Sequence, residues 1–480
     1  MLDLLLDLLL DIRSLFAMAL SAAALLWAGG HVVLYKRDSR SATGWLALIV
    51  ALPIVGAVLY WIFGINRIFR RAEAVYRAHD PAPEAEGLAV VEPSSVAREG
   101  LEHLATLAAF GERVTGAPLS SGNRVGPFFT VESAFDAMLA VIEGARHSIS
   151  LVTYIFDHDR AGFRFLDALK DAVHRGVEVR VLIDAVGDRY TRPPMRGILE
   201  EAGVRCAVFM PTRAPRQLGN TNLRNHRKLL VVDGRHAFTG GLNIRRPQGD
   251  KIALQDLHFE VHGPVIHALQ RVFIDDWAFT TGELLTGELW LPPLSAAGSM
   301  VTRVVDDGPA ENLGHLRWTL LGALACARRR VIVITPYFLP DESLITALNM
   351  AARRGVEVDI LIPAKSNLRI VQWACTAMLW QVLKGGCRIW ATPAPFDHSK
   401  LMLVDGAWTF LGSANWDARS LRLNFELNME VYCPMLTAEL EAFVEDKRRR
   451  SRPITLEEVD GRPLPIRLRD GVARLLTPYL

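Results

Sequence analysis

Two histidine–lysine pairs carry most of the chemistry legible in this chain. His226 stands two positions before Lys228, and His398 two positions before Lys400. In each case an aspartate follows (Asp233, Asp405), then two small residues (Gly240-Gly241, Gly412-Ser413), then an asparagine (Asn243, Asn415). Every matching position is separated by 172 residues. Residues two apart on an extended strand share a face, so each histidine and its lysine point the same way. Two imidazoles, two ammonium groups and two carboxamides converging on one point suit a phosphodiester. One imidazole attacks phosphorus, and the other, protonated, gives its proton to the leaving alkoxide. Lysines and asparagines stabilise charge on the non-bridging oxygens. The lysines supply the positive charge, so neither a metal nor a cofactor is expected. Gly240, Gly241 and Ser413 are small enough to let an anion approach backbone N–H groups.

The elements that must position these residues repeat as well. HRGVEVRVLID (174–184) and RRGVEVDILIP (353–363) are almost the same phrase. Each follows a helical stretch, Phe163–His174 and Glu342–Arg353, and each helix follows a β-rich run, ISLVTYI (149–155) and VIVIT (331–335). Strand, helix, Arg-Gly turn, strand is a βαβ unit with a parallel pair. A further strand is expected at Arg205–Met210 and at Cys387–Trp390. The fold class is therefore α/β, with two related halves brought together about a pseudo-twofold axis. The Pro/Ser-bearing stretch Leu291–Ser299 divides them. The expected organisation is a first half over 121–290 and a second half with a C-terminal tail over 291–480.

The paired pattern HxKxxxxDxxxxxxGGxN and HxKxxxxDxxxxxxGSxN resembles the HKD motifs of the phospholipase D superfamily. GINRIFRR, NHRKLLVVDG followed by Gly240-Gly241, WDARSLRLNFE and the terminal RLLTPYL are similar to the bacterial cardiolipin synthase branch. That resemblance covers nearly the whole chain. It implies mixed sheets flanked by helices, a phosphohistidine intermediate, and phosphatidyl transfer from one phosphatidylglycerol to another. It assigns His226 as nucleophile and His398 as general acid. Hydrolysis of a phospholipid headgroup, or transfer to another acceptor, would use the same motif. The resemblance also implies that Asp233 and Asp405 support the histidines, although each precedes a glycine and could simply form a turn. Asp256 is expected to orient groups in the first half and Glu426, with Asn424, a group near the second histidine. Asp417 could cap a helix.

Other polar clusters have plainer explanations. Asp256, His258, Glu260 and His262 alternate along one strand face, but a polar face explains them as well as a metal site, and no metal is assigned. Lys447–Arg450 with Arg452 reads as a solvated helix end or as a contact for anionic headgroups. Trp373, Met378 and Trp380 read mainly as core.

Composition bounds the rest. The chain has 480 residues, 50% hydrophobic and 22% charged, with net charge +2 and mean hydropathy +0.18. Disorder and collagen-like order are excluded. The first eighty residues hold eight of the 54 basic and six of the 52 acidic side chains, so the remainder is neutral. A dedicated nucleic-acid binder would carry a basic excess; no nucleic-acid partner is expected. Five scattered cysteines form no CxxC pair and fit a reducing compartment. Residues 15–35 and 45–64 are apolar runs long enough to cross a bilayer, so residues 1–80 read as a two-helix hairpin anchor. Pro53 is tolerable there, and His31 reads as interfacial. Five basic residues outside the hairpin against three inside its loop place both termini in the cytoplasm. The expectation is a multi-pass protein of the inner membrane with a cytoplasmic catalytic domain and phospholipid substrates. Residues 81–120 read as a linker.

Overall fold

The computed structural model describes residues 2–36, 39–64, 87–211, 223–246, 254–308 and 314–477. It has two compact units, and the N-terminal one includes residues 2–36 and 39–64. In that unit helix Leu2–Ala24 continues through a π-type turn, Leu25–Gly29, into Gly30–Tyr35. Ile12–Tyr35 is the one helix among the described residues long and apolar enough to cross a membrane. The second apolar run is divided. Helix Ser39–Ala51 ends at Leu52, and Pro53 opens a new segment, Pro53–Leu59, because proline has no N–H to continue the ladder. Two shorter apolar helices, Ser41–Ala51 and Pro53–Ile62, thus replace the uninterrupted second span expected from sequence. The two runs still pack. Ala28, Val32, Ile49, Ala57 and Tyr60 form a small core, and His31 Nδ1 lies 2.8 Å from the Tyr60 hydroxyl. His31 is thus a packed polar contact within this bundle. The expected anchor end at 65–80, residues 81–86 of the linker and Arg37 lie outside the described residues.

The second unit is built on one mixed sheet. Its first half supplies β1 (Leu119–Phe128), β2 (Ser148–Thr153), β3 (Glu178–Asp184), β4 (Cys206–Phe209), β5 (Leu229–Val232), β6 (His236–Gly240) and β7 (His258–His262). The second half supplies β8 (Met300–Asp307), β9 (Arg330–Ile334), β10 (Glu357–Pro363), β11 (Arg388–Thr392), β12 (Leu401–Val404), β13 (Trp408–Gly412), β14 (Glu426–Tyr432) and β15 (Arg452–Ile454). The strand order is β15-β11-β10-β9-β12-β13-β14-β8-β1-β7-β6-β5-β2-β3-β4. Read outward from the central β8–β1 pair, the two halves are the same list, except that β15 adds an edge strand to the second. Strands β2, β3 and β4 run parallel, as do β9, β10 and β11. The strands nearer the centre pair antiparallel.

The repeated phrases form the crossover units. Asp159 caps helix Arg160–His174 by accepting from the Ala161 and Gly162 amides, and Asp341 caps Glu342–Arg353 by accepting from Leu344 N. Each helix then ends in an Arg-Gly turn, with Gly176 at φ +85 and Gly355 at φ +93, a region glycine enters without penalty. Each half buries its own apolar core. One is built around Phe135, Phe165, Leu169 and Val181, the other around Leu320, Leu348, Ile360 and Trp408. The expected linker needs correction, because helix His103–Thr115 packs Leu104, Leu107 and Ala108 into the second half's core. Val90–Val91 also pairs with β1. The amphipathic spacing of LEHLATLAAF suits the helix.

Candidate active site

Each histidine sits just before a central strand, where the two halves cross. His226 N donates to Phe425 O at 2.8 Å, and His398 N donates to Gln255 O at 2.7 Å. Short parallel pairings, Asn225 with Phe425 and Phe396–Asp397 with Leu254–Gln255, lock these segments together. Strand pairing in β5 and β12 starts only after the lysine, so His226–Lys228 and His398–Lys400 are extended lead-ins to the strands.

The crossing exchanges the supporting carboxylates. His226 Nδ1 lies 3.0 and 3.1 Å from the Glu426 carboxylate oxygens. His398 Nδ1 lies 2.8 Å from Asp256 Oδ2. Glu426 belongs to the second half and holds the first histidine; Asp256 belongs to the first half and holds the second. This reverses the expectation that each acid serves its own half. A carboxylate only accepts at neutral pH, so both imidazoles carry the proton on Nδ1 and leave Nε2 free. Asn424 Nδ2 donates to Glu426 at 3.2 Å, and Ser413 Oγ donates to it at 2.5 Å.

The small pairs serve these acids, which corrects their assignment as an anion cradle. Gly241 N donates to Leu257 O, and Ser413 N to Leu427 O and Asn428 Oδ1, so those amides are spent within the sheet. Gly240 and Gly412 lie at φ +146 and +147, and a Cβ there would overlap the facing strand. A Cβ on Gly241 would overlap the Asp256 carboxylate itself.

Asp233 and Asp405 do not touch the histidines. They lie beyond the opposite ends of β5 and β12, at φ +52 and +53. Asp233 accepts from the amides of Arg146, His147 and Ser148. Asp405 accepts from those of Arg328, Arg329 and Arg330, and from His103 Nε2 at 2.6 Å. They tie the strand turn to the start of β2 and β9, so their support is structural.

Both lysines fold back on their own histidines. Lys228 Nζ donates to His226 O at 2.5 Å, and Lys400 Nζ donates to His398 O and lies 2.9 Å from His398 Nδ1. Two tyrosines that sequence reasoning missed wall the site. Tyr154 meets His226 edge-on at 5.2 Å and Tyr337 meets His398 edge-on at 6.3 Å. Their signal was the aromatic that follows the first parallel strand of each half, in TYIFD and TPYFL. Asn243 Oδ1 accepts from Ile155 N at 3.2 Å, and Asn415 is buried with its Oδ1 unpartnered. Lys447, read as part of a solvated basic run, is instead buried against Asp397, beside His398. Arg448, Arg450 and Arg452 pair with Glu445, Asp446 and Glu458. Asp417 does cap a helix, accepting from Ser420 N. Met378 is buried, Trp373 packs against the core, and Trp380 is 37% exposed.

Electrostatics follow from burial. Burial pushes His226 down to about 4 against the pull of Glu426, with the Lys228 charge adding to the fall. Burial and Lys400 lower His398 against Asp256. Burial takes Lys228 to about 7 and Lys400 to about 8, each opposed by the acids. Burial alone would raise both acids, but Lys400 and His398 hold Asp256 below its usual range, and His226 and Lys228 do so for Glu426. The site is thus a cluster of two lysines and two carboxylates whose charges nearly balance.

Among the described residues one further group could ligate a metal, His236, Glu260 and His262. It lies where β6 and β7 pair, at the end of β6 that carries the Asp233 turn.

Comparison with known proteins agrees with this geometry. Residues 138–277 and 320–447 match the family described as Cardiolipin synthase, PLD-like domain. Residues 23–64 match Phospholipase_D-nuclease N-terminal. The cardiolipin synthase of Geobacillus kaustophilus is 34% identical over 94% of this chain and 91% of its own. That of Listeria welshimeri is 32% identical over 94% and 95%. A crystal structure of phosphatidylserine synthase from Haemophilus influenzae superposes with TM-score 0.59 over 74% of this chain and 95% of its own, at 15% identity, a likeness of fold alone. With both halves matched and near full-length relatives above 30% identity, the chain belongs to the cardiolipin synthase family of the phospholipase D superfamily.

Proposed function

We propose that this chain condenses two phosphatidylglycerol molecules into cardiolipin and glycerol at a membrane. The observation that carries the reading is the exchanged clamp, in which two Nδ1-anchored imidazoles each lie within electrostatic reach of both lysines. His226 Nε2 attacks phosphorus of the first lipid. The bond from phosphorus to the glycerol headgroup oxygen breaks, and His398 gives its proton to that oxygen. The headgroup hydroxyl of the second lipid then loses its proton to His398 and attacks the phosphohistidine. The P–N bond breaks, cardiolipin forms, and His226 is restored.

His398 must be protonated for the first step, although burial and Lys400 lower it. The phosphodiester brings a further negative charge, which offsets the lysines and raises His398 as it binds. Protonation is thus coupled to substrate. Lys228, Lys400, Asn243 and Asn415 supply donors to the phosphoryl oxygens. Exclusion of water from the intermediate selects transfer over hydrolysis. The two apolar runs of residues 12–64 form a hairpin anchor that raises the local concentration of lipid.

The test is incubation of the purified chain with phosphatidylglycerol in mixed micelles containing EDTA, with products identified by mass spectrometry. Cardiolipin and free glycerol, absent in His226→Ala and His398→Ala, are expected. Phosphatidic acid alone would make water the acceptor, and the chain a phospholipase.

A further inference from the structure

Helix Leu464–Leu475 is amphipathic the wrong way round for a soluble protein. Its inner face packs on helix Arg369–Thr376 through buried Ala473 and Asp470, with Arg462 and Arg469 paired to Asp470. Arg469 also stacks over Trp373, 4.5 Å from the ring centre. Its outer face is apolar. Leu464, Leu468, Val472 and Leu475 are 66%, 61%, 63% and 71% exposed. At ~100° per residue these four fall within about 80° of one another, directly opposite the buried face. Arg467 and Arg474, both exposed, border one side of the stripe. An ordinary surface helix turns charge outward and leucine inward. Here the acid is inside and the leucines are outside.

We propose that this helix is a membrane-surface contact, lying in the headgroup layer with the leucine stripe in the acyl region and Arg467 and Arg474 on anionic phosphates. It rests on the reading that the chain works on bilayer lipids. The occupant follows from the pattern of charge. An apolar stripe edged by arginine, with its acid turned away, matches an anionic interface, where apolar area and basic side chains both add to binding. The contact would fix one face of the catalytic unit against the surface from which its substrates come, in addition to the N-terminal anchor.

The full-length chain in nanodiscs containing a photoactivatable diazirine phospholipid tests this, with adducts mapped by mass spectrometry. Lipid adducts are expected on the peptide spanning 464–475, and more of them when phosphatidylglycerol replaces part of the phosphatidylcholine. They should be lost in the double variant Leu468→Glu/Val472→Glu. In Arg467→Gln/Arg474→Gln the gain from phosphatidylglycerol should be lost. Unchanged turnover of micellar phosphatidylglycerol would show that the variants are folded. An unlabelled 464–475 peptide, alongside labelled residues 12–35, would overturn the proposal. So would a dimer in native mass spectrometry that Leu468→Glu/Val472→Glu dissociates, with this peptide unlabelled by lipid, which would make it an assembly face. Labelling needs no turnover, so lipid adducts without cardiolipin formation would sink only the proposed reaction.

Discussion

Glu426 and His226 lie 200 positions apart in sequence yet share a hydrogen bond of 3.0 Å inside the site. The acid fixes the tautomer and orientation of His226. Glu426→Gln should lower kcat by up to about 10⁴-fold, the cost of replacing an acid that orients a reactive imidazole by its amide. KM should move little, because the acid does not reach substrate. Asp256→Asn should behave likewise through His398. A rise in KM with unchanged kcat would argue that these acids contact lipid.

The two histidines should be separable by trapping. With radiolabelled lipid and a rapid acid-free quench, a phosphatidyl adduct is expected on the peptide carrying His226, and none on that carrying His398. The reverse labelling would exchange the two roles.

The pH profile of kcat/KM reports the free enzyme. His226 must be neutral to attack, and burial holds it neutral down to about 4. The lysines must be charged to receive the phosphate, and burial brings Lys228 to about 7 and Lys400 to about 8. His398 must also carry its proton, and burial with Lys400 lowers it, so the profile should fall as pH rises, first as His398 and then as the lysines lose their protons. A fall beginning only near the ordinary lysine range, about 10.4, would show that the site is wetter than its burial indicates.

Gly241→Ala should mimic loss of Asp256, because the new methyl group takes the space of its carboxylate. Ser413→Gly removes one donor to Glu426 and leaves two hydrogen-bond distances to His226 intact, so its effect on kcat should be smaller. Equal effects would contradict the packing of the first half.

Asp405→Asn should act on stability. The carboxylate accepts three backbone amides and His103, so the loss should be about 1–3 kcal/mol. Burial would raise this acid, but its amide bonds outweigh that and hold it low. Its contribution is then complete above the unfolded value, about 3.9, and fades as pH falls through the depressed one. Thermal melts of the wild type and the variant from pH 7 to pH 3 would measure both. A variant as stable as the wild type, with an altered pH–rate profile, would restore the catalytic reading of this residue.

The repeat and the βαβ units were legible because each is local. A strand's apolar run, a capped helix and an Arg-Gly turn are written within about thirty consecutive residues. The histidine–acid pairing was not legible, and nearness in sequence pointed to the wrong partner in both cases. It depends on chain segments crossing between halves, as in the bond from His226 N to Phe425 O, which no local pattern encodes. Asp233 and Asp405 misled for a related reason, since recurrence in register marks a structural turn as firmly as a reactive group. Pro53 was noted, but its effect on the second apolar run depends on backbone geometry at Leu52.

The exchanged acids also bear on why the two halves share one chain. Two identical copies meeting across a true twofold axis would be bound to equal histidines. Covalent fusion releases that constraint. One histidine is held by an aspartate beside a glycine, the other by a glutamate beside a serine. Asymmetry of this kind gives a two-step reaction a distinct donor and acceptor side, and it gives each new mutation one of those sides to tune.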